Sequence, residues 1–232
     1  MGECVDIKDG RSNMQAMSTS TVPSPKVPAR KPGRPPKIPR AHHDTREALI
    51  HCGTEILTEQ GFSATGIDTV LKRVGVPKGS FYHYFASKDA FGKALLDHYA
   101  RYFARKLDRW FLDTSLSPLQ RLHGFVDDAR QGMARHDFRR GCLVGNLGQE
   151  ITVLPPGYRE LIEAIFSNWQ QRLSQCLREG QVQGEVASTA DCDELAAFFW
   201  IGWEGAVLRA RLVRSDAPLR VFATGFMRSL AR

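Results

Sequence analysis

From Asp44 onward the apolar residues return every three or four positions and show no run of strict alternation, a period that commits the chain to helices. Leu49, Cys52 and Ile56, with Ile50, Gly53 and Leu57 beside them, mark an amphipathic helix from Asp44 to about Gln60, closed by Gly61. Ile67, Val70, Leu71 and Val74 mark a short second helix, with Thr65 offering an N-cap hydroxyl and Gly75 the tight turn after it. Pro77 suits the first turn of a third helix, roughly Pro77 to Tyr84, in which Phe81 and Phe85 point to the core. Ser87 caps a fourth, where Phe91, Leu95, Tyr99 and Tyr102 recur out to around Trp110 or Leu112; about 22 residues would span roughly 33 Å. Further helices are expected at about 117–136, 141–153, 157–180, 191–214 and 217–231, parted by proline- and glycine-bearing breaks such as Pro155-Pro156-Gly157. The expected fold class is all-α, with about nine helices.

The longest apolar stretch, Leu195 to Trp203, stops at Glu204 and falls short of the ~20 residues a membrane helix needs. Glu3, Asp6 and Asp9 stand where a secretory signal would want an apolar core, so export is not expected and a cytoplasmic location is. Five scattered cysteines without a C-x-x-C pair argue against a disulfide framework or a zinc site. The spacings that build metal, nucleophile and phosphate sites are missing, so no metal, cofactor or catalytic residue is expected. An enzyme becomes the weaker reading.

The formal net charge of +7 is unevenly placed: residues 1–40 hold eight basic and three acidic side chains, whereas 41–88 hold five of each. Seven prolines between Pro23 and Pro39 oppose helix formation there, and the segment is expected to be a disordered basic arm. Within it, Lys31-Pro32-Gly33-Arg34-Pro35-Pro36-Lys37 resembles the Gly-Arg-Pro core of an AT-hook, whose extended arginine follows a narrow, electronegative minor groove. Arg34 and Lys37 are the candidate contacts; a solvated linker is the competing reading. Because 41–88 is neutral, the arm is expected to supply much of the counterion-release term of DNA binding.

Two short helices joined by a glycine-containing turn, the second presenting polar residues from its first turns, make a helix-turn-helix. Gly61-Phe62 through Thr65, Val74 through Phe85 and Ser87-Lys88-Asp89 resemble the DNA-binding domain of the TetR repressor family. The resemblance implies phosphate contacts from Thr65, Tyr82 and Lys88, with Lys78, Gly79, Ser80 and His83 facing base edges and Tyr84 flanking them. Lysine donates to guanine or phosphate, glycine admits the backbone, and serine and histidine meet base edges without dictating one base. Phe85 is read as core, Tyr84 equally as core or contact, and Tyr82, by its phase, as a DNA contact. Gly66 departs from the family pattern, where a hydroxyl residue often adds a phosphate bond.

The resulting domains are 1–40, the arm; 41–88, the helix-turn-helix; and 89–232, a helical body for effector binding and dimerisation. Leu195, Phe198, Phe199, Ile201, Gly202, Gly205 and Leu208 make the penultimate helix apolar almost all round, so it must bury more than one face. Family members pair their last two helices across a two-fold axis, which makes Phe198, Ile201, Gly205, Leu208 and Leu212 the candidate dimer contacts. Such a homodimer would set two recognition helices about 34–36 Å apart on a palindromic operator. The run Arg139-Arg140-Gly141-Cys142-Leu143-Val144-Gly145-Asn146-Leu147-Gly148-Gln149-Glu150 is similar to a motif of an AcuR-like TetR subgroup that includes regulators of electrophile and acrylate detoxification. That resemblance implies a small unsaturated acid or its thioester as effector, with Cys142 as the sensing thiol. Arg139 and Arg140 beside a helix start are expected to lower the thiol's pKa; a buried, inert cysteine is the competing reading. Asn146 and Gln149 are candidate ligand donors, Trp169 and Trp203 a candidate apolar wall, and coupling to DNA is expected to run through the fourth helix. The partners expected are operator DNA, a second copy and a small molecule, with no membrane. Two other classes stay open, a Cys-dependent helical enzyme and an architectural DNA-binding protein without an effector.

Overall fold

The computed structural model describes residues 42–230, and these form nine helices and no strand. The basic arm, with Arg34 and Lys37, lies outside the described residues. In order the helices are α1 (His42–Gln60), α2 (Ile67–Val74), α3 (Lys78–Phe81), α4 (Lys88–Phe111), α5 (Pro118–Ala134), α6 (Leu143–Gln149), α7 (Tyr158–Val182), α8 (Cys192–Val213) and α9 (Ala217–Leu230).

Local chemistry sets the boundaries. Gly75 takes the left-handed conformation after α2 and returns its N–H to that helix's last carbonyls, so the chain turns sharply into Pro77. The Ser87 hydroxyl accepts the Ala90 N–H and starts α4 where expected. Asp191 does the same for α8, accepting from the Asp193 and Glu194 N–H groups. Helix α5 stops at Ala134, short of the expected 136, because Asp137 and Phe138 both take positive φ and turn the chain out of the helix. Helix α6 is shorter still than 141–153: Cys142 is its N-cap and Glu150 its C-cap, and only turns follow, as far as Leu154 and the Pro155-Pro156 pair. Helix α3 keeps one turn of the predicted Pro77–Tyr84, continued by i+3 hydrogen bonds from His83 to Ser80 and Tyr84 to Phe81.

Helices α1 to α3 enclose a small core of Leu49, Ile56, Val70, Leu71, Phe81 and Phe85, closed against Phe91 and Leu95 of α4. The larger body is built on aromatics. The ring of Phe103 of α4 lies tilted 4.4 Å from Trp169 of α7, which lies 5.1 Å from Trp200 of α8, and Phe125 of α5 reaches Trp200 and Trp203. Arg121, almost fully buried, ties the body together by donating to the carbonyls of Phe111 and Leu116 and to the Glu179 carboxylate. An interior guanidinium is tolerable only with donors satisfied in this way.

Candidate DNA-reading surface and effector cavity

At the α1–α3 end, Lys78, Gly79, Tyr82 and His83 are exposed, Ser80 is half-buried, and Tyr82 keeps 60% of its surface open while resting edge-on against buried Phe81. A β-carbon at Gly79 would meet nothing within 4 Å, so its surface is open to a close partner. Lys78 pairs with Asp68 at 3.2 Å, an exposed bridge that costs little to exchange for a phosphate. Lys88 sits with its ammonium 4.6 Å above the Phe62 ring, at the start of α4. Tyr84 packs against the core as well as reaching the surface, while Phe85 is buried.

Thr65 requires a correction. It is 3% exposed, and its hydroxyl donates to the Gly61 carbonyl at 2.7 Å, so it neither caps α2 nor presents a donor to phosphate. The N-cap is Gly66, and the first turn of α2 has no side-chain cap.

Between α4, α5 and α8 lies a cavity of about 210 Å³ whose wall includes Tyr99, Phe103, Cys142, Trp203 and Glu204. Lys106, Arg135, His136 and Arg140 line it too. Cys142 is buried at the N-cap of α6, where its Sγ accepts the Gly145 N–H at 3.4 Å. Tyr99, Cys142 and Glu204 meet in the cavity wall, where the Glu204 carboxylate and the Cys142 β-carbon both lie against Gly145. Burial, reinforced by Glu204, holds the Cys142 thiol well above the ordinary thiol range, and burial does the same to Tyr99. Burial lifts Glu204 to about 7. The expected lowering of the thiol by its arginines does not occur. Arg140 is spent on Glu59 at 2.9 Å and Glu55 at 3.3 Å, and Arg139 is exposed beside Asp137.

Three other expected effector residues also move. Asn146 is buried away from the cavity with its amide fully used: Nδ2 donates to the carbonyls of Leu57 and Thr58 at 3.2 and 3.0 Å, and Oδ1 accepts from Arg211 at 2.9 Å. Gln149 is exposed, its amide folded back on the Gly145 carbonyl. Trp169 is wholly buried in the aromatic core and borders only a separate groove between α4 and α7. Cys142 and Trp203 do line the cavity. Tyr99 and Glu204 were missed, although a lone carboxylate interrupting the apolar run of α8 is a legible sign of a polar task on a half-buried face.

Helix α6 joins this cavity to the α1–α3 unit. Gly141 donates to the Thr58 carbonyl, Asn146 caps the last carbonyls of α1, and Arg211 reaches the Glu59 carbonyl at 2.9 Å. At the other end, the Glu150 carboxylate accepts the Phe62 and Ser63 N–H groups at 2.9 and 2.7 Å. Gly61 is required here twice over. Its φ is +81°, and a side chain would collide with that carboxylate.

Along α8, Phe198, Ile201, Gly205, Leu208 and Leu212 form one exposed stripe, Ile201 at 73% and Leu212 at 69%, and Val221 of α9 is exposed as well. Among the described residues no group of His, Cys, Asp or Glu is placed to hold a metal, and no helix is long and apolar enough to cross a membrane.

An outward-facing helix-turn-helix, docked through α6 on a helical body with its own polar cavity, defines a DNA-binding transcriptional regulator. The chain belongs to the TetR family: residues 49–95 match the family's bacterial regulatory domain and 118–226 the tetracyclin repressor-like C-terminal domain. It is 52% identical over 211 residues to the transcriptional regulator AcuR of Cereibacter sphaeroides, covering 90% of this chain and 95% of that one. It is 32% identical over 184 residues to the HTH-type transcriptional repressor DhaR of a Mycobacterium species, covering 79% and 91%. The crystal structure of a TetR regulatory protein from Rhodobacter sphaeroides superposes with a TM-score of 0.78 at 52% identity, covering 80% of this chain and 98% of that one. Regulators of this family bind DNA as dimers and respond to small molecules.

Proposed function

We propose that the chain is a homodimeric repressor that leaves a palindromic operator when a small α,β-unsaturated acid, acrylate or a close relative, enters the cavity at Cys142. The observation that carries this reading is the cavity itself, which brings a buried thiol together with Arg135 and His136. Its volume of about 210 Å³ is below the ~300–1,000 Å³ typical of drug-sized ligands, which favours a free acid over a thioester on a large carrier. Burial, with Arg140 nearby, lowers the His136 pKa, so Arg135 is the better counter-ion for a carboxylate at neutral pH.

On the DNA side, Lys78, Gly79, Ser80 and His83 face base edges and Tyr82 and Lys88 hold phosphates, with Tyr84 flanking. The uncapped first turn of α2 replaces the Thr65 hydroxyl as a phosphate site, since its N–H groups and helix dipole favour an anion. The α8 stripe of Phe198, Ile201, Gly205, Leu208 and Leu212 meets its symmetry mate, and the arm adds counterion release through Arg34 and Lys37. The effector acts only to the extent that it prefers the DNA-incompetent geometry.

The test is operator release followed by fluorescence anisotropy, with acrylate, its saturated analogue propionate and an acyl thioester as additions. Acrylate should release the operator from the native protein and fail to do so from Cys142→Ser, whose operator affinity should be unchanged. Full acrylate response in Cys142→Ser, or equal release by propionate, would refute sensing through this thiol.

A further inference from the structure

We infer that Glu204 is the proton acceptor that arms Cys142, so that the cavity captures an unsaturated carboxylate by adding the thiol S–H across its double bond. The inference rests on the effector class proposed above and supplies the chemistry of its capture. Glu204 lies on a helix whose neighbouring residues, Trp203, Gly205, Ala206 and Val207, are apolar or lack a side chain. Among the described residues it has no cationic partner, and its carboxylate shares the cavity wall beside Gly145 with the Cys142 side chain. Gly145 leaves room for the carboxylate, because a side chain there would collide with it. A carboxylate held in this way is a poor structural element, since burial without a counter-ion penalises its charged form. It is a good base, because desolvation places its pKa at about 7, near neutral pH.

Two of the remaining charged groups around the cavity are engaged elsewhere. Lys106 from α4 pairs with Asp128 at 3.3 Å, and Arg140, from the loop before α6, pairs with Glu55 and Glu59. Arg135 and His136, from the end of α5, have no carboxylate partner among the described residues and face the same space. Capture then runs in one balanced sequence. Glu204 takes the thiol proton as sulfur bonds to the β-carbon, and the alkene pair shifts toward the α-carbon and carboxylate, where Arg135 meets the charge. The proton on Glu204 passes to the α-carbon. The product is a thioether, the net change is addition of S–H, and no oxidant or reductant is consumed.

Two roles for Glu204 predict opposite signs. As a mere negative neighbour it raises the thiol pKa, and removing its charge would speed alkylation; as a base, removing it slows alkylation. Full-length protein is treated with sodium acrylate or with iodoacetamide, and the Cys142 adduct is followed by peptide mass, with Cys142→Ser as the blank. In the native protein the rate should rise with pH through one inflection near 7, the carboxylate form being the active one. In Glu204→Gln the rate near neutral pH should fall on the order of 10²-fold, with the rise displaced to alkaline pH. An equal or faster rate in Glu204→Gln overturns the inference. Should that variant fail to fold by circular dichroism, the native profile decides, and a rise confined to pH above the ordinary thiol value overturns it equally. Acrylate-driven operator release with no adduct would overturn capture while sparing the effector reading. Glu204-dependent iodoacetamide labelling with no acrylate adduct or release would remove the effector and leave Glu204 as the base.

Discussion

Gly66 holds φ at −80° and ψ at 146°, a conformation open to any residue, and a β-carbon there would touch nothing within 4 Å. Its neighbour Thr65 has turned its hydroxyl inward to Gly61. A Gly66→Ser change would therefore put a hydroxyl at the vacant N-cap of α2, and is expected to stabilise the fold by a few tenths of a kcal/mol. The same hydroxyl should tighten operator binding by ~1 kcal/mol, about fivefold, if a phosphate docks there. Thermal melting and anisotropy check the two effects separately; unchanged affinity would place the phosphate elsewhere. The sequence identified Gly66 as a departure from the family pattern but could not show which way Thr65 faces, because rotation about one side-chain bond carries no periodicity. Glu204 was hidden for a related reason. Its partner thiol lies 62 positions earlier in the chain, and only the fold brings them together.

Helix α6 was visible as a segment, and Cys142 as its start, but its purpose was not. Asn146 appeared to be a ligand donor because its partners, the carbonyls of Leu57 and Thr58, are 88 or more residues distant and belong to the backbone, which leaves no mark in composition. In the structure this amide serves as the C-terminal cap of α1, and Glu150 grips the turn that follows. Asn146→Ala would leave two carbonyls and the Arg211 guanidinium short of partners, costing ~2 kcal/mol in a urea unfolding curve. More tellingly, it should leave the Cys142 adduct intact while blunting acrylate-driven release, since α6 would no longer hold α1. Normal release in that variant would return the coupling to α4, whose 24 residues run from the DNA unit into the body.

At the scale of the whole molecule, the all-helical plan and the exposed α8 stripe follow from the same apolar period. Helices α8 and α9 carry more apolar surface than one chain covers, with Ile201, Leu212 and Val221 each more than two-thirds exposed. A double Ile201→Glu, Leu212→Glu variant is expected to run as a monomer in light scattering. It should lose operator affinity on the order of 10²-fold, because two half-sites would no longer be bound together. A variant that stayed dimeric would relocate the interface.

The Glu150 carboxylate bonded to the α1–α2 turn has a consequence for signalling. If moving α6 loosens the hold on DNA, then an operator that fixes α1 and α2 must resist the same movement, by an equal free energy. Copies seated on their site would thus be the last to register the acid, and the sharpness of the switch would depend on how many molecules wander unattached.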